Sequence, residues 1–170
     1  MTSSGSAIVG LVNPKNVSNV GGVVRAANCF GATKILYTGI RYDRAARFHT
    51  DTKNATATIP LQHSTDIFDQ IPTGFTVVCV ELAIGATALP RFQHPDDAVY
   101  VFGPEDGTLS QETIDRADSV VFIPAQSSLN LAAAVNVVLY DRQLKRTDLS
   151  IKTDNDQLIR SSRDLSLIHI

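Results

Sequence analysis

The sequence contains no tryptophan, a single methionine and only two cysteines, and these scarcities narrow what it can encode. Cys29 and Cys79 stand far apart in apolar stretches, so neither belongs to the closely spaced ligand set that a zinc site requires. The four histidines are scattered and do not supply the missing ligands. We therefore expect two buried thiols in a reducing cytoplasm, without a disulfide framework or a metal centre.

Long apolar runs are also missing, since no stretch reaches the roughly 18 residues of a membrane-spanning helix. The first ten residues lack the basic segment and apolar core of a secretory signal. Even so, 44% of the 170 residues are hydrophobic and 19% are charged, which is a globular composition. We expect one domain over residues 1–147. For the mostly polar tail over residues 148–170, mobility is one interpretation.

Several common nucleotide-binding and hydrolase motifs are absent. There is no GxxxxGK phosphate loop, and no GxGxxG follows the first predicted strand, because Gly21 and Gly22 come too late and lack a third glycine. The sequence also has no GxSxG nucleophile elbow and no HExxH zinc motif. These absences disfavour phosphate-loop NTPases, dinucleotide oxidoreductases, α/β-hydrolases and zinc proteases.

Blocks of apolar and polar residues alternate along the chain in a pattern typical of an α/β domain. Short apolar runs predict five strands, at residues 7–12, 34–38, 75–82, 98–102 and 119–123. Helical spacing predicts a helix from Val20 to Phe30, a short one from Ser110 to Ala117 and a buried one from Leu129 to Tyr140. We also predict a short helix over residues 66–71. Residues 41–64 are predicted to be a long excursion with little regular structure. The alternation favours a mostly parallel sheet flanked by helices.

Three turns leave predicted strands with unusual residues, at positions 13–19, 103–110 and 124–130. Ligands of parallel α/β sheets bind beyond the carboxyl ends of the strands, so these turns are the candidate site. Each turn also has a purely structural interpretation. In that interpretation Ser18 or Asn19 caps the first helix, Ser127 or Ser128 caps the last, and the acidic residues of the second turn favour a helix N-terminus.

Five residues in or near these turns are harder to explain structurally. Arg25 lies off the apolar stripe of its helix, so it is either an exposed helical arginine or a functional group. Gly21 and Gly22 each cost a helix about 1 kcal/mol relative to alanine, which indicates close approach of a ligand or another chain. Asn130, in the apolar stretch together with Asn136, needs a hydrogen-bond partner if it is buried.

The three turns together resemble the SpoU/TrmH family of RNA ribose 2′-O-methyltransferases, within the SPOUT superfamily. The matching segments are NPKNVSNVGGVVR at 13–25, FGPEDGTLS at 102–110 and IPAQSSLNLAAAVNVVLY at 123–140. The resemblance covers residues 7–142. It implies a sheet with a deep C-terminal trefoil knot, which is a rare exception to the rule that chains are unknotted. It also implies S-adenosylmethionine as the cofactor and a homodimer with its site near the subunit interface.

The resemblance assigns roles to individual residues. Asn19, Arg25, Glu105, Ser128 and Asn130 match the family's catalytic motif positions. The cofactor positions are Glu81, Leu82, Gly103, Ile123, Ser128 and Leu129. One departure concerns the second motif, where Gly107 follows Glu105 after one residue instead of two, which puts the geometry of that loop in question. The resemblance gives Arg25 the proton-removal step, either as a base or as a phosphate clamp. Arginine is a difficult base because its pKa exceeds about 12.

Charge indicates where RNA binds. The net charge is only −2, yet residues 1–60 hold seven Lys and Arg against two Asp and Glu, and residues 61–125 hold two against ten. We therefore predict RNA contacts on the basic segment, although a solvated surface is the alternative. Its members are Arg41, Arg44, Arg47, His49 and Lys53. The chain resembles the minimal tRNA-modifying members of the family more than those with an N-terminal extension for ribosomal RNA, and this resemblance favours a tRNA substrate. The alternatives are 2′-O-methylation of ribosomal RNA, a knotted binding module without catalysis, and an enzyme acting on a small nucleotide.

Overall fold

The computed structural model describes residues 5–47 and 59–146, in which strands and helices alternate. The strands are β1 (Ala7–Leu11), β2 (Ala32–Tyr37), β3 (Leu61–His63), β4 (Thr76–Val80), β5 (Thr87–Ala88), β6 (Ala98–Phe102) and β7 (Ser119–Phe122). The helices are α1 (Val17–Cys29), α2 (Arg41–Ala46), α3 (Gln111–Asp115) and α4 (Leu131–Arg146), with 3-10 turns at Phe68–Gln70 and Leu89–Arg91. No helix in this part of the chain is long and apolar enough to cross a membrane.

The strands form one sheet in the order β3-β2-β1-β6-β4-β7-β5, and every paired strand is parallel. This confirms the predicted mostly parallel α/β architecture. Two strands, β3 and β5, were not predicted, because they are only three and two residues long and carry little apolar pattern. The expectation that residues 41–64 have little regular structure is wrong for α2 and β3. Residues 48–58 lie outside the described part of the chain.

Alternate residues of the strands enter cores on opposite faces of the sheet, as the pleat requires. Val9 and Leu11 pack on the face that carries α1, α2 and α4, and Ile8 packs on the face that carries α3. The central strand β6 is buried along its whole length. The carboxyl ends of all the long strands therefore meet at one edge of the sheet, below the three predicted turns.

Helix α4 differs from its prediction in length and in burial. It begins at Leu131 instead of Leu129, and it continues past the polar change at Asp141 to Arg146. Within this chain it is not buried all round, because Tyr140 is 55% exposed and Val137 and Leu144 are also exposed. Its buried face packs on α1, where an added Cβ at Gly22 would lie 2.8 Å from the Cβ of Ala132. The predicted close approach at Gly22 is thus made by this chain's own α4.

The C-terminal half of α4 is held by a buried polar network. The fully buried His94 ring bridges the Tyr100 hydroxyl at 2.7 Å and a carboxylate oxygen of Asp141 at 2.8 Å. Arg142, although charged, is buried and donates to the backbone carbonyls of Pro95 and Asp96, both at 2.6 Å. No buried side-chain nitrogen or oxygen within residues 5–47 and 59–146 lacks a hydrogen-bond partner, so the network carries no unpaired group. These bonds fix α4 against the segment that leads into β6.

The two cysteines have different surroundings. Cys79 lies in β4 and is buried as expected, and burial together with the nearby Glu81 charge raises the pKa of its thiol to about 12. Cys29, at the end of α1, is exposed, so the expectation of a buried thiol is wrong there. The apolar run around Cys29 supplies the buried stripe of α1, and Cys29 itself falls on the opposite side of that helix.

Candidate active site

A cavity of about 470 Å³ opens at the carboxyl ends of β4, β6 and β7. Its walls are the loops that follow these three strands, and the first turns of α4 close one side. Two of the three predicted turns, 103–110 and 124–130, thus form the cavity together with the loop after β4. The predicted cofactor residues all line this cavity, namely Glu81, Leu82, Gly103, Ile123, Ser128 and Leu129.

Glu81 ties two of the cavity loops together through its carboxylate. One oxygen accepts the backbone N–H of Leu109 at 2.9 Å, and the other accepts that of Leu82 at 2.9 Å. The backbone N–H of Glu81 donates to the carbonyl of Val121 in β7 at 2.9 Å. Gly103 lies against this junction, because an added Cβ would stand 3.2 Å from the Leu109 nitrogen. A larger residue at position 103 would therefore crowd both the loop and the cavity.

The cavity combines apolar side chains with acidic charge. Leu82 is 78% exposed, and Leu129 is also exposed, although both are large apolar residues that normally seek burial. Among the described residues that line the cavity, the only charged ones are Glu81 and Glu105. The cavity is therefore suited to a ligand that combines an apolar part with positive charge.

Glu105 connects the cavity to the start of α1. Its carboxylate accepts the backbone N–H groups of Lys15 and Asn16, each at 3.0 Å, and the side-chain amide of Asn19 at 3.3 Å. Partial burial opposes ionisation of Glu105. Hydrogen bonds from its own backbone, from Asn16, Lys15 and the Asn19 amide outweigh that effect, so the pKa of Glu105 lies below its ordinary value. The ionised Glu105 carboxylate thus links the second predicted turn to the first through hydrogen bonds.

The helix cap of α1 is Asn16 instead of Ser18 or Asn19. The Asn16 side chain accepts the backbone N–H groups of Ser18 and Asn19, and the helix begins at Val17. Asn19 is thereby placed in the first turn, where its amide is free to reach Glu105. The sequence signal for this arrangement is the run Asn-Val-Ser-Asn, in which each polar residue is an acceptable cap.

Arg25 is exposed in α1 and is not among the residues that line the cavity. It makes no hydrogen bond or ion pair with any residue in the described ranges, 5–47 and 59–146. Arg25 lies six positions after Asn19, which corresponds to a rise of about 9 Å along a helix. Within one chain, therefore, the structure brings Asn19 to Glu105 but leaves Arg25 apart from both.

In the third turn, Asn130 supplies the helix cap that was assigned to Ser127 or Ser128. Its side-chain oxygen accepts the backbone N–H of Ala133 at 2.7 Å, and its carbonyl accepts that of Ala134. Ser128 is exposed and borders the cavity. Asn136 is exposed as well, and its amide donates to the Ala132 carbonyl at 2.8 Å. Neither asparagine is therefore a buried amide within this chain.

The basic segment is only partly visible in the described residues. Arg44 and Arg47 are exposed at spacing three on and just after α2, whereas Arg41 pairs with Asp106 at 2.8 Å. Lys15 pairs with the same carboxylate at 3.1 Å. His49 and Lys53 lie outside the described residues. Lys15 and Asp106 were not predicted individually as site residues, although they lie within the predicted turns 13–19 and 103–110.

A sequence profile of the SpoU rRNA Methylase family matches residues 6–140. The chain belongs to the SpoU rRNA methylase family. The resemblance inferred from the three turns is thereby confirmed. No group of three or more His, Cys, Asp and Glu side chains within residues 5–47 and 59–146 is arranged to hold a metal ion.

Solved structures of this family share the fold. AviRb, the SpoU methyltransferase of Streptomyces viridochromogenes, superposes with a TM-score of 0.69 at 20% identity, over 83% of this chain and 60% of that one. The AdoMet-bound rRNA methyltransferase of Sinorhizobium meliloti gives 0.71 at 24% identity, over 85% and 58%. The A. aeolicus TrmH/SpoU tRNA modifying enzyme gives 0.68 at 21% identity, over 95% and 81%. The chain thus spans about three fifths of the first two proteins. No curated protein matches it significantly.

Proposed function

We propose that this protein is an S-adenosylmethionine-dependent RNA methyltransferase that modifies a ribose 2′-hydroxyl, with tRNA as the preferred substrate. The observation that carries the proposal is the cavity formed by the loops after β4, β6 and β7, which Glu105 joins to the motif helix α1. Membership of the SpoU family supports the reaction class. The tRNA preference is supported by likeness to the A. aeolicus tRNA modifying enzyme, which this chain matches over most of both lengths.

The residues of the cavity fit S-adenosylmethionine. A volume of about 470 Å³ lies in the usual range for small-molecule sites. Leu82, Ile123 and Leu129 offer apolar surface to the adenine, and the Glu81 carboxylate offers negative charge to the cationic part. Polar groups at Gln126 and Ser128 complete the lining. When bound, this cofactor supplies a methyl group on positively charged sulfur, which is already activated for transfer.

Because the methyl group is activated, the protein's own task is to align the ribose oxygen and to assist removal of one proton. We assign that task to Arg25, which holds the RNA phosphate and stabilises developing charge, or accepts the proton itself. Asn19 and Glu105 position the start of α1, and Asn130 positions the start of α4 beside the cavity. Ser128 does not cap α4, because Asn130 does so. Ser128 lines the cavity, where its hydroxyl can bind cofactor or substrate.

A homodimer belongs to the proposal because Arg25 does not line the cavity of its own chain. The surface available for a second copy is the apolar side of α4 formed by Val137, Tyr140 and Leu144. Phe30 extends this side toward α1, since its ring meets Tyr140 edge-on at 6.1 Å. The proposal requires that pairing places Arg25 of the partner subunit beside the cavity. The trefoil knot, formed by the loops around the cavity, and action in the cytoplasm are parts of the same proposal.

The decisive test is methyl transfer from labelled S-adenosylmethionine to bulk RNA from cells that lack this protein, followed by nucleoside analysis. We expect a new 2′-O-methylated nucleoside in the tRNA fraction. Label in ribosomal RNA would keep the reaction and change the substrate to the class named for the S. meliloti relative. Label on a base would refute the ribose assignment. Cofactor binding without label in any RNA would favour a binding module.

A further inference from the structure

Two cations from distant parts of the chain converge on one exposed carboxylate at the edge of the site. The ammonium of Lys15 lies 3.1 Å from one oxygen of Asp106, and the guanidinium of Arg41 lies 2.8 Å from the other. Lys15 follows β1, Arg41 begins α2 and Asp106 follows β6. Both cations can therefore bind a single oxyanion at the position that Asp106 occupies.

The surroundings of this carboxylate are basic. Arg41, Arg44 and Arg47 recur at spacing three, which places them along one side of α2 and its end. The neighbouring acid Glu105 faces backbone and side-chain amides and pairs with no cation in the described residues. Hydrogen bonds from Arg41 and Lys15 hold the pKa of Asp106 at about 2, so it is ionised at neutral pH. The three charged groups together leave one positive charge.

The position of the cluster connects it to the cavity. The backbone N–H of Lys15, whose side chain binds Asp106, donates to the Glu105 carboxylate that lines the cavity. An anion held by Lys15 and Arg41 is thus one residue away from the cavity wall. Lys15 and Asp106 are each about half exposed, so the pair is open to exchange with a ligand from solution.

We propose that Lys15 and Arg41 form a phosphate subsite for the RNA backbone. In the free protein the Asp106 carboxylate occupies this subsite, and an RNA phosphate displaces it when RNA binds. The inference rests on the proposed function, since it concerns how RNA approaches the same site. Asp106 lowers the affinity for polyanions in general, because any phosphate must compete with a carboxylate that is already in place. It also keeps the two cations converged in the free protein.

The test compares Asp106→Asn with Asp69→Asn, which removes the same charge from an exposed position in the 3-10 turn after β3. Binding of a fluorescein-labelled tRNA transcript is measured by anisotropy at several salt concentrations. We expect Asp106→Asn to tighten binding about fivefold at low salt and to steepen the salt dependence by about one phosphate contact. Asp69→Asn should change affinity by less than about twofold, because the ion pairs of Lys15 and Arg41 are made with Asp106 and not with Asp69. Unchanged or weaker binding by Asp106→Asn would overturn the inference.

A second comparison isolates the shared subsite. Arg41→Ala should weaken tRNA binding less in the wild-type background, where Asp106 competes, than in the Asp106→Asn background, where the subsite is free. Equal losses in both backgrounds would show that Arg41 and Asp106 act independently. If the wild-type protein transfers methyl groups to RNA while these variants bind alike, only the inference fails. If the wild-type protein binds no tRNA, the proposed substrate and the inference fail together.

Discussion

The two halves of the sheet edge contrast in chemistry although they share one architecture. Around β4, β6 and β7 the edge is a cavity with apolar walls, backbone groups and two acids. Around β1 and β2 it is an open surface, where Lys15 follows β1 and where Arg41 and Arg44 lie in α2 after β2. A cavity gains affinity by removing apolar surface from water, and an open basic surface gains it by releasing counterions. The division indicates separate places for a small cationic cofactor and a large polyanion.

Adjacent residues join the two halves. Glu105 accepts hydrogen bonds from the start of α1, and Asp106 pairs with cations on the open side. The shortened spacing between Glu105 and Gly107 therefore coincides with the point at which the halves meet. Substitutions can therefore be made separately in the cavity half, in the open half, and at Glu105, which connects them.

The largest expected effect is the loss of catalysis when the exposed Arg25 side chain of α1 is removed. Arg25→Ala should lower the rate of methyl transfer by at least about 100-fold, because charge at the reacting oxygen is no longer stabilised. The affinity for S-adenosylmethionine, measured by calorimetry, should stay within about twofold of wild type, since Arg25 does not line the cavity. Asn28→Ala on the same helix is the matched control and should leave both values unchanged. A large loss of cofactor affinity in Arg25→Ala would contradict the division.

The reciprocal change is made inside the cavity. Gly103→Val places side-chain atoms beside the Leu109 nitrogen and the Glu81 carboxylate, where even a Cβ is 3.2 Å and 3.4 Å away. Cofactor affinity should fall by about 10- to 100-fold, in line with the 1–3 kcal/mol typical of overpacking. Binding of tRNA without cofactor should remain within about twofold. Circular dichroism should confirm the fold, and an equal loss of tRNA affinity would show that the halves are not separable.

Two adjacent glycines of α1, Gly21 and Gly22, should respond differently to the same substitution, because only Gly22 packs against α4. Gly22→Ala should lower the free energy of unfolding by about 1–3 kcal/mol, because its Cβ would lie 2.8 Å from that of Ala132 in α4. Gly21→Ala meets nothing within 4 Å and should raise the free energy of unfolding by up to about 1 kcal/mol. Denaturant titration of the pair measures both. Equal effects of the same sign would refute the assigned contact between α1 and α4.

The connection itself should produce the smallest effect. Glu105→Gln should cost about 1 kcal/mol of unfolding free energy at pH 7, because a partly exposed carboxylate is screened by solvent. The pKa of Glu105 is below its ordinary value of 4.5, so its contribution is complete above that pH and is lost as pH falls through the lowered value. The difference from wild type should therefore shrink below about pH 4.5. Glu112→Gln is the control, and a difference that grows on acidification would reverse the assignment.

The fold was predictable where the local pattern and the final packing agree. The apolar run of β6 and the cap at Ser110 were predicted at their observed positions because each depends on adjacent residues. The C-terminal extent of α4 could not be predicted in this way. Arg142 can be buried there because it donates hydrogen bonds to the carbonyls of Pro95 and Asp96, which are distant in sequence. The short strands β3 and β5 depend on neighbouring strands instead of their own pattern.

The candidate site shows the same limit. The place of the candidate site could be predicted, because parallel-sheet topology brings the strand ends together. The residues that the resemblance assigns to the cofactor line the cavity at that place, and their role stays a prediction. The convergence of Lys15 and Arg41 on Asp106 could not be predicted, because those contacts span 91 and 65 positions of sequence. Nor does the sequence show that the Glu105 carboxylate accepts its hydrogen bonds from Lys15, Asn16 and Asn19 at the start of α1. Long-range pairs of exposed charges leave no periodic signal, and only the three-dimensional arrangement shows them.

The most direct test of the divided edge is to measure cofactor and tRNA binding separately by calorimetry and anisotropy at about 50 and 200 mM salt, the range over which phosphate contacts weaken. We predict that S-adenosylmethionine binds without RNA and that its affinity changes less than about twofold with salt. The affinity for tRNA should fall by at least about tenfold over the same range. Cofactor binding that requires RNA, or tRNA binding insensitive to salt, would contradict the account.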